Sequence, residues 1–190
     1  VNDDDFIFLS VGAINQQKNH IATVRAFATA AEDFPNAKLL IVGPTSEKEL
    51  LKAIEGFIAN RMLDNRVIYA GATSEVHHYY AMADAFVSAA FFEGGPLNHL
   101  EAARANIPAV FTNVGFACHF AGLPGFEIIE PPLDISKFHG AIWQLASSPE
   151  FEDRLAKAMV RTYKNPRRPN LAPEILKAFD KSYSYQHYVG

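Results

Sequence analysis

Two short stretches of this chain carry residues whose types and spacing could do chemistry. In Glu93-Gly94-Gly95-Pro96-Leu97, two glycines whose amides can approach a ligand closely precede a helix that Pro96 is suited to open. Glu101 follows Glu93 with seven residues between them. The first carboxylate therefore stays in the loop, and the second lies about one and a half turns into the helix. The other stretch is Gly12-Ala-Ile-Asn-Gln-Gln-Lys18-Asn19, in which Gly12 permits a sharp turn and Lys18 sets a cation near the next helix tip. Helix N-termini offer unpaired N–H groups and the positive end of the dipole, which favours phosphate. Carboxylates beside an anion site repel the anion unless they serve another part of the ligand. Paired sugar hydroxyls are such a part, because both can donate to one carboxylate. A pyrophosphate with a sugar at each end satisfies the whole set. The plainer alternative, slightly better on spacing alone, makes Glu101 a solvated helix residue and Glu93 an ordinary loop acid.

These loops need a frame to hold them. Apolar runs at residues 6–11, 38–42, 66–70, 85–88, 108–112 and 127–130 read as strands. Between them, helical spacing recurs, as in Ile21, Val24, Phe27 and Ala31, or Leu50, Leu51, Ile54, Phe57, Ile58 and Met62. Ser46 and Glu49 have the spacing of a capping box for the second helix, and Thr73 or Ser74 could cap the third. This alternation predicts βαβ units with right-handed crossovers: an α/β fold, a Rossmann-like parallel sheet flanked by helices. Ligands of such sheets bind beyond the carboxyl ends of the strands, where both loops fall. Towards the C-terminus Asp134 starts a helix, Ser148-Pro149 caps and opens another with Phe151, Leu155 and Met159 on one face, and a helical tail runs from about Leu171.

Composition narrows the classes. The chain has 190 residues, 49% apolar and 20% charged, enough for one domain with a real core. Net charge is −4, which argues against a nucleic-acid partner. The lone Cys118 cannot form an internal disulfide, no apolar run reaches the ~18 residues of a membrane span, and no signal peptide opens the chain. Val1 in first place, with Met only at 62, 82 and 159, suggests a piece of a longer enzyme. Neither G-x-x-x-x-G-K-[ST] nor G-x-G-x-x-G is present, which weighs against a Walker cradle and a dinucleotide site.

Residues 93–110, Glu-Gly-Gly-Pro-Leu-Asn-His-Leu-Glu-Ala-Ala-Arg-Ala-Asn-Ile-Pro-Ala-Val, resemble the signature of retaining glycosyltransferases of family 4, which have the GT-B architecture. Ser10-Val-Gly12, Lys18-Asn19-His20, Leu40-Ile-Val-Gly43, Arg66-Val, Gly71, Tyr80-Ala-Met-Ala-Asp84 and Asn113-Val-Gly115 follow in that family's order. The resemblance spans about residues 6 to 163. It implies a C-terminal, donor-binding domain over residues 1–165. A linker and helix over 166–190 would pack on an N-terminal, acceptor-binding domain outside this chain. It further implies transfer of a hexose from a UDP- or GDP-sugar donor to a glycan, lipid or other acceptor, with retention, no cofactor and no bound metal. Glu101 would hold the ribose hydroxyls and Glu93 the hexose. The amides of Gly94, Gly95 and Leu97, around Pro96, would meet sugar and diphosphate. Gly12 and Lys18 would meet the diphosphate, and the loop of Gly71, Ala72 and Thr73 the base. Glu93 and Lys18 are the residues implied to carry catalysis, in a cytoplasmic enzyme working at the inner membrane face where its acceptor is lipid-linked. The chain alone would bind donor without transferring sugar. It departs from the family at Ala13, where Arg is frequent, at Ala90, where Ser is common, and at Asn106, where Gly is common.

Other constellations read more plainly. Asp3-Asp-Asp5 contains D-x-D but precedes the first strand, as a solvated linker would. His77 and His78, adjacent on a helix, should point apart and make a poor metal pair. Tyr79 and Tyr80 read as packing residues, and Cys118 with His119 as loop residues. Lys164, Arg167 and Arg168 read as a solvated linker, with contact to a further domain or to anionic lipid as the alternatives. A flavodoxin- or receiver-like signalling module shares the alternation but a receiver needs acids after the first strand. An NAD-dependent oxidoreductase needs an acid ending the second, where Gly43-Pro44 stands.

Overall fold

A computed structural model describes residues 1–131, 148–169 and 171. The expected helix from Asp134 and the expected tail beyond Leu171 lie outside the described residues, whereas the expected boundary after residue 165 falls within them, just past a helix that ends at Lys164. Six strands, β1 (Phe6–Val11), β2 (Ala37–Val42), β3 (Val67–Gly71), β4 (Ala85–Ser88), β5 (Ala109–Thr112) and β6 (Phe126–Ile129), form one sheet. All its pairings are parallel, in the order β3-β2-β1-β4-β5-β6. Among the described residues, five α-helices accompany it: α1 (His20–Ala30), α2 (Lys48–Asn60), α3 (Val76–Met82), α4 (Leu97–Arg104) and α5 (Pro149–Lys164). Strand order reverses between β1 and β4, so the loops leaving them diverge and open a crevice at their carboxyl ends.

The period of two in the strands sorts side chains into two apolar layers. Phe8, Leu39, Ile41, Val87 and Val110 face α1, α2 and α5, where they meet Val24, Phe27, Ile54, Phe151, Leu155 and Met159. Ile7, Leu9, Leu40, Phe86 and Phe111 face the other way, towards Tyr80, Leu100, Phe116 and Phe120. A sheet covered on both faces explains why its strands read as unbroken apolar runs. Ser148 accepts from the Phe151 amide and Pro149 occupies the first turn of α5, as the sequence predicts. Leu171 lies against the second layer.

The N-terminal ends of the strands are closed by polar side chains bonded to backbone. Asp84 accepts from the Ile7 amide at 2.8 Å. The Arg66 guanidinium donates to the carbonyls of Ala31, Phe34 and Ala37. That role places Arg66 before β3, which starts one residue later than its apolar run suggests.

Two helix starts differ from expectation. Ser46 and Glu49 do not cap α2: the Ser46 hydroxyl donates to the Ile14 carbonyl and Glu49 pairs with Lys52 on the surface. A tertiary acceptor in the first loop outcompetes the local one. Nor do Thr73 and Ser74 cap α3, which begins at Val76; the Thr73 hydroxyl instead accepts from the Glu75 amide in a tight turn. Met62 falls beyond the end of α2 and is exposed rather than core.

Candidate functional site

The crevice is built from the two loops singled out above, and they are stitched together. The Gln17 side-chain amide donates to the Phe92 carbonyl at 3.0 Å, and the Phe91 amide donates to the Gln17 carbonyl at 2.9 Å. Lys18 and Glu93, 75 residues apart, form an ion pair, both largely shielded from solvent. The first loop is shaped locally as well: Asn15 accepts from the Lys18 amide, and Asn19 turns in the left-handed region before α1. Gln16 is anchored on Glu47 through its amide and side chain.

Two glycines make the crevice close-packed. A Cβ at Gly43 would lie 2.0 Å from the Gly12 carbonyl oxygen, so the loops after β1 and β2 touch backbone to backbone. A Cβ at Gly115 would meet Pro96 at 2.7 Å and the Glu93 carbonyl at 2.9 Å, at a φ of 57°. The loop after β5 thus backs the Glu93–Pro96 turn. Neither glycine is singled out by local sequence as a site residue, because only the strand order brings its neighbour near.

Pro96 stands at the cap of α4 rather than at its first position, and Leu97 opens the helix with its side chain exposed. Asn98 turns inward, donating to the Val11 carbonyl at 2.8 Å. Glu101 is half-buried, and the hydroxyl of buried Tyr80 donates to its Oε2 at 2.9 Å, with the Asn98 carbonyl at 3.2 Å. Burial, reinforced by the Glu101 carboxylate, drives the Tyr80 hydroxyl far above its ordinary pKa, so it remains a donor. Tyr80 is therefore not simply a packing residue. Gly71 ends β3 and accepts from the Gly43 amide, while Ala72 and Thr73 are exposed at the rim. Gly12, Lys18, Glu93, Gly94, Gly95 and Pro96 are brought together. Among the described residues, no hydrogen bond or ion pair joins Gly71, Ala72 or Thr73 to Lys18 or Glu93.

Buried polar atoms collect under this crevice. Among the described residues, the side-chain polar atoms of Asn19 and Thr23, His20 Nε2, Asn98 Oδ1 and both ring nitrogens of His99 find no hydrogen-bond partner. Burial pushes His20 down to about 4, and the nearby Lys18 cation pushes the same way. Burial and, secondarily, the Lys18 cation push His99 down to about 3, and its ring stacks on Phe111 at 4.1 Å. Both imidazoles are neutral at physiological pH. The crevice thus offers one cation, two carboxylates, a glycine turn and helix-tip amides, a set able to divide one ligand into anionic and hydroxylated parts.

Elsewhere, His77 and His78 do not point apart: their rings lie 4.1 Å from each other and both approach exposed Glu75. Cys118 is exposed, 3.8 Å from the His119 ring nitrogen. Arg161, Lys164 and Arg167 line a cleft of about 430 Å³ beside Pro108 and Gly125, at the opposite end of the strands. No described helix is long and apolar enough to cross a membrane.

The family described as "Glycosyl transferases group 1" matches residues 1–161. An uncharacterized glycosyltransferase of Methanocaldococcus jannaschii is 30% identical over 133 residues, covering 70% of this chain and 30% of its own length. The N-acetylgalactosamine-N,N'-diacetylbacillosaminyl-diphospho-undecaprenol 4-alpha-N-acetylgalactosaminyltransferase of Campylobacter jejuni is 31% identical over 180 residues, covering 94% of this chain and 44% of its own length. The chain therefore spans less than half of either relative. Among solved structures, the pneumococcal O-GlcNAc transferase GtfA in complex with UDP and GlcNAc shares the fold, with a TM-score of 0.67 at 21% identity over 95% of this chain and 31% of that one.

Proposed function

The chain belongs to the group 1 glycosyl transferases, and from that premise we propose that it is the donor-binding half of a retaining, metal-independent enzyme of GT-B architecture. Its substrate is a UDP- or GDP-hexose, and its acceptor a glycan or a lipid-linked sugar, a class for which the Campylobacter relative is named. The observation that carries this reading is the Lys18–Glu93 pair at the N-terminal tip of α4, with Glu101 further along the same helix. Lys18 and the helix-tip amides receive the diphosphate, Glu93 a hexose hydroxyl, and Glu101 the ribose. In the free chain Lys18 and Glu93 neutralise each other, so the diphosphate must draw Lys18 into sharing.

The chemistry required is charge stabilisation. As the anomeric bond breaks, negative charge grows on the leaving diphosphate, and Lys18 with the amides of the glycine turn meets it there. Ala13 offers no second cation. Transfer also requires an acceptor held over the anomeric carbon, and such positioning can contribute several kcal/mol. On this reading residues 1–190 bind donor and transfer sugar only with the acceptor-binding half supplied. Calorimetry with UDP, GDP and NAD tests the reading. UDP or GDP should bind and NAD should not. Glu101→Gln should cost affinity for nucleotides with or without a sugar, and Glu93→Gln only when a sugar is attached. Tighter binding of NAD, or nucleotide affinity indifferent to Glu101→Gln, would overturn it.

A further inference from the structure

Glu101 sits on a long, flexible side chain, yet its carboxylate is held. The hydroxyl of Tyr80 reaches Oε2 at 2.9 Å from α3, across the crevice wall, and its ring is fixed among Phe86 and the second apolar layer. A phenol has one proton to give. The Glu101 carboxylate oxygen is nearer than the Asn98 carbonyl at 3.2 Å and takes the larger share of that proton. With Oε2 engaged, the carboxylate keeps Oε1 for a further donor. Among the described residues no hydrogen bond occupies Oε1, and the group is half-buried rather than sealed in the core.

We propose that Tyr80 is a positioning residue for the nucleotide: it locks Glu101 in one rotamer, so that Oε1 is presented to the ribose hydroxyls before the ligand arrives. The inference rests on Glu101 as the ribose ligand. It gains from the chemistry of the pair, because a buried phenol remains protonated and donates at every working pH. Ordering Glu101 in advance removes part of the entropy that binding would otherwise cost.

The test uses whichever of UDP and GDP binds the chain more tightly, together with its 2′-deoxy counterpart, measured by calorimetry. Tyr80→Phe keeps the buried ring, and its thermal unfolding is followed to verify that the fold persists. Affinity should fall by about three- to tenfold, and the preference for ribose over 2′-deoxyribose should shrink towards none. In a Glu101→Gln background, the same substitution should cost less than about twofold, since the group it positions has gone. An unchanged ribose preference in Tyr80→Phe, with Glu101→Gln still harmful, overturns the positioning role alone. Equal losses in both backgrounds do the same, marking Tyr80 as merely structural. Indifference to Glu101→Gln, or no binding of either nucleotide, overturns the ribose site itself and the inference with it.

Discussion

Polar side chains at the two ends of the parallel strands live under opposite rules. At the N-terminal ends, Arg66 and Asp84 turn inward and meet backbone: three carbonyls for the guanidinium, the Ile7 amide for the carboxylate. At the C-terminal ends, Asn19, His20, Asn98 and His99 are more deeply buried, yet among the described residues several of their side-chain atoms meet no partner. Such a group costs about 1–3 kcal/mol when left unsatisfied. One end of the sheet is therefore organised for stability. The other leaves polar side-chain atoms unpaired by the described residues in the layer beneath Lys18, Glu93 and Glu101, as expected where a ligand site overrides local satisfaction.

The contrast can be broken most severely by acid. His20 and His99 titrate near 6.5 when unfolded, but burial holds them at about 4 and about 3 in the fold. As pH falls below 6.5 the unfolded chain takes up protons that the folded chain refuses, so their stabilisation is complete above that value. It is lost progressively down to about pH 4 for His20 and about pH 3 for His99. Urea unfolding at pH 7.5 and pH 5 should differ by on the order of 2 kcal/mol for each histidine. A flat profile across that window would mean the imidazoles are not buried and neutral.

A smaller, one-sided effect should come from the opposite end. Arg66→Met leaves the carbonyls of Ala31, Phe34 and Ala37 without their donor and should destabilise the fold by about 3 kcal/mol in urea. Nucleotide affinity of the folded protein should change less than about twofold, since the residue is remote from the crevice. A matching loss of affinity would show that the two ends are not independent. Lys18→Ala should act on both properties, since it leaves the shielded Glu93 carboxylate without its cation and should cost on the order of 1–3 kcal/mol of stability. Binding of UDP or GDP should weaken about tenfold while binding of the bare nucleoside hardly changes. Equal losses for nucleotide and nucleoside would remove Lys18 from the diphosphate.

Much of this was legible in order along the chain. Phe8 facing one layer while Ile7 and Leu9 face the other follows from a two-residue period, and the Ser148-Pro149 start of α5 from local capping chemistry. Both are short-range rules that need no knowledge of the rest of the molecule. The capping box at Ser46 and Glu49 obeyed the same rules and failed, because the Ile14 carbonyl from another loop was the acceptor actually met. Local signals hold where no tertiary competitor intrudes.

By itself the sequence determined a doubly covered parallel sheet and the two loops, around Lys18 and Glu93, at its carboxyl ends. Only the tertiary structure decided which groups meet there. Pairing β1 with β4 rather than with a later neighbour is what sets Lys18 against Glu93, Gln17 against Phe92 and Asn98 against the Val11 carbonyl. It also decided that Gly43 must lack a side chain, since the Gly12 backbone fills that space, and that Tyr80 from α3 holds Glu101 of α4. Periodicity records which face a residue presents, whereas the partner across that face depends on strand order and crossover. Those contacts are formed between residues tens of positions apart, and no local pattern encodes them.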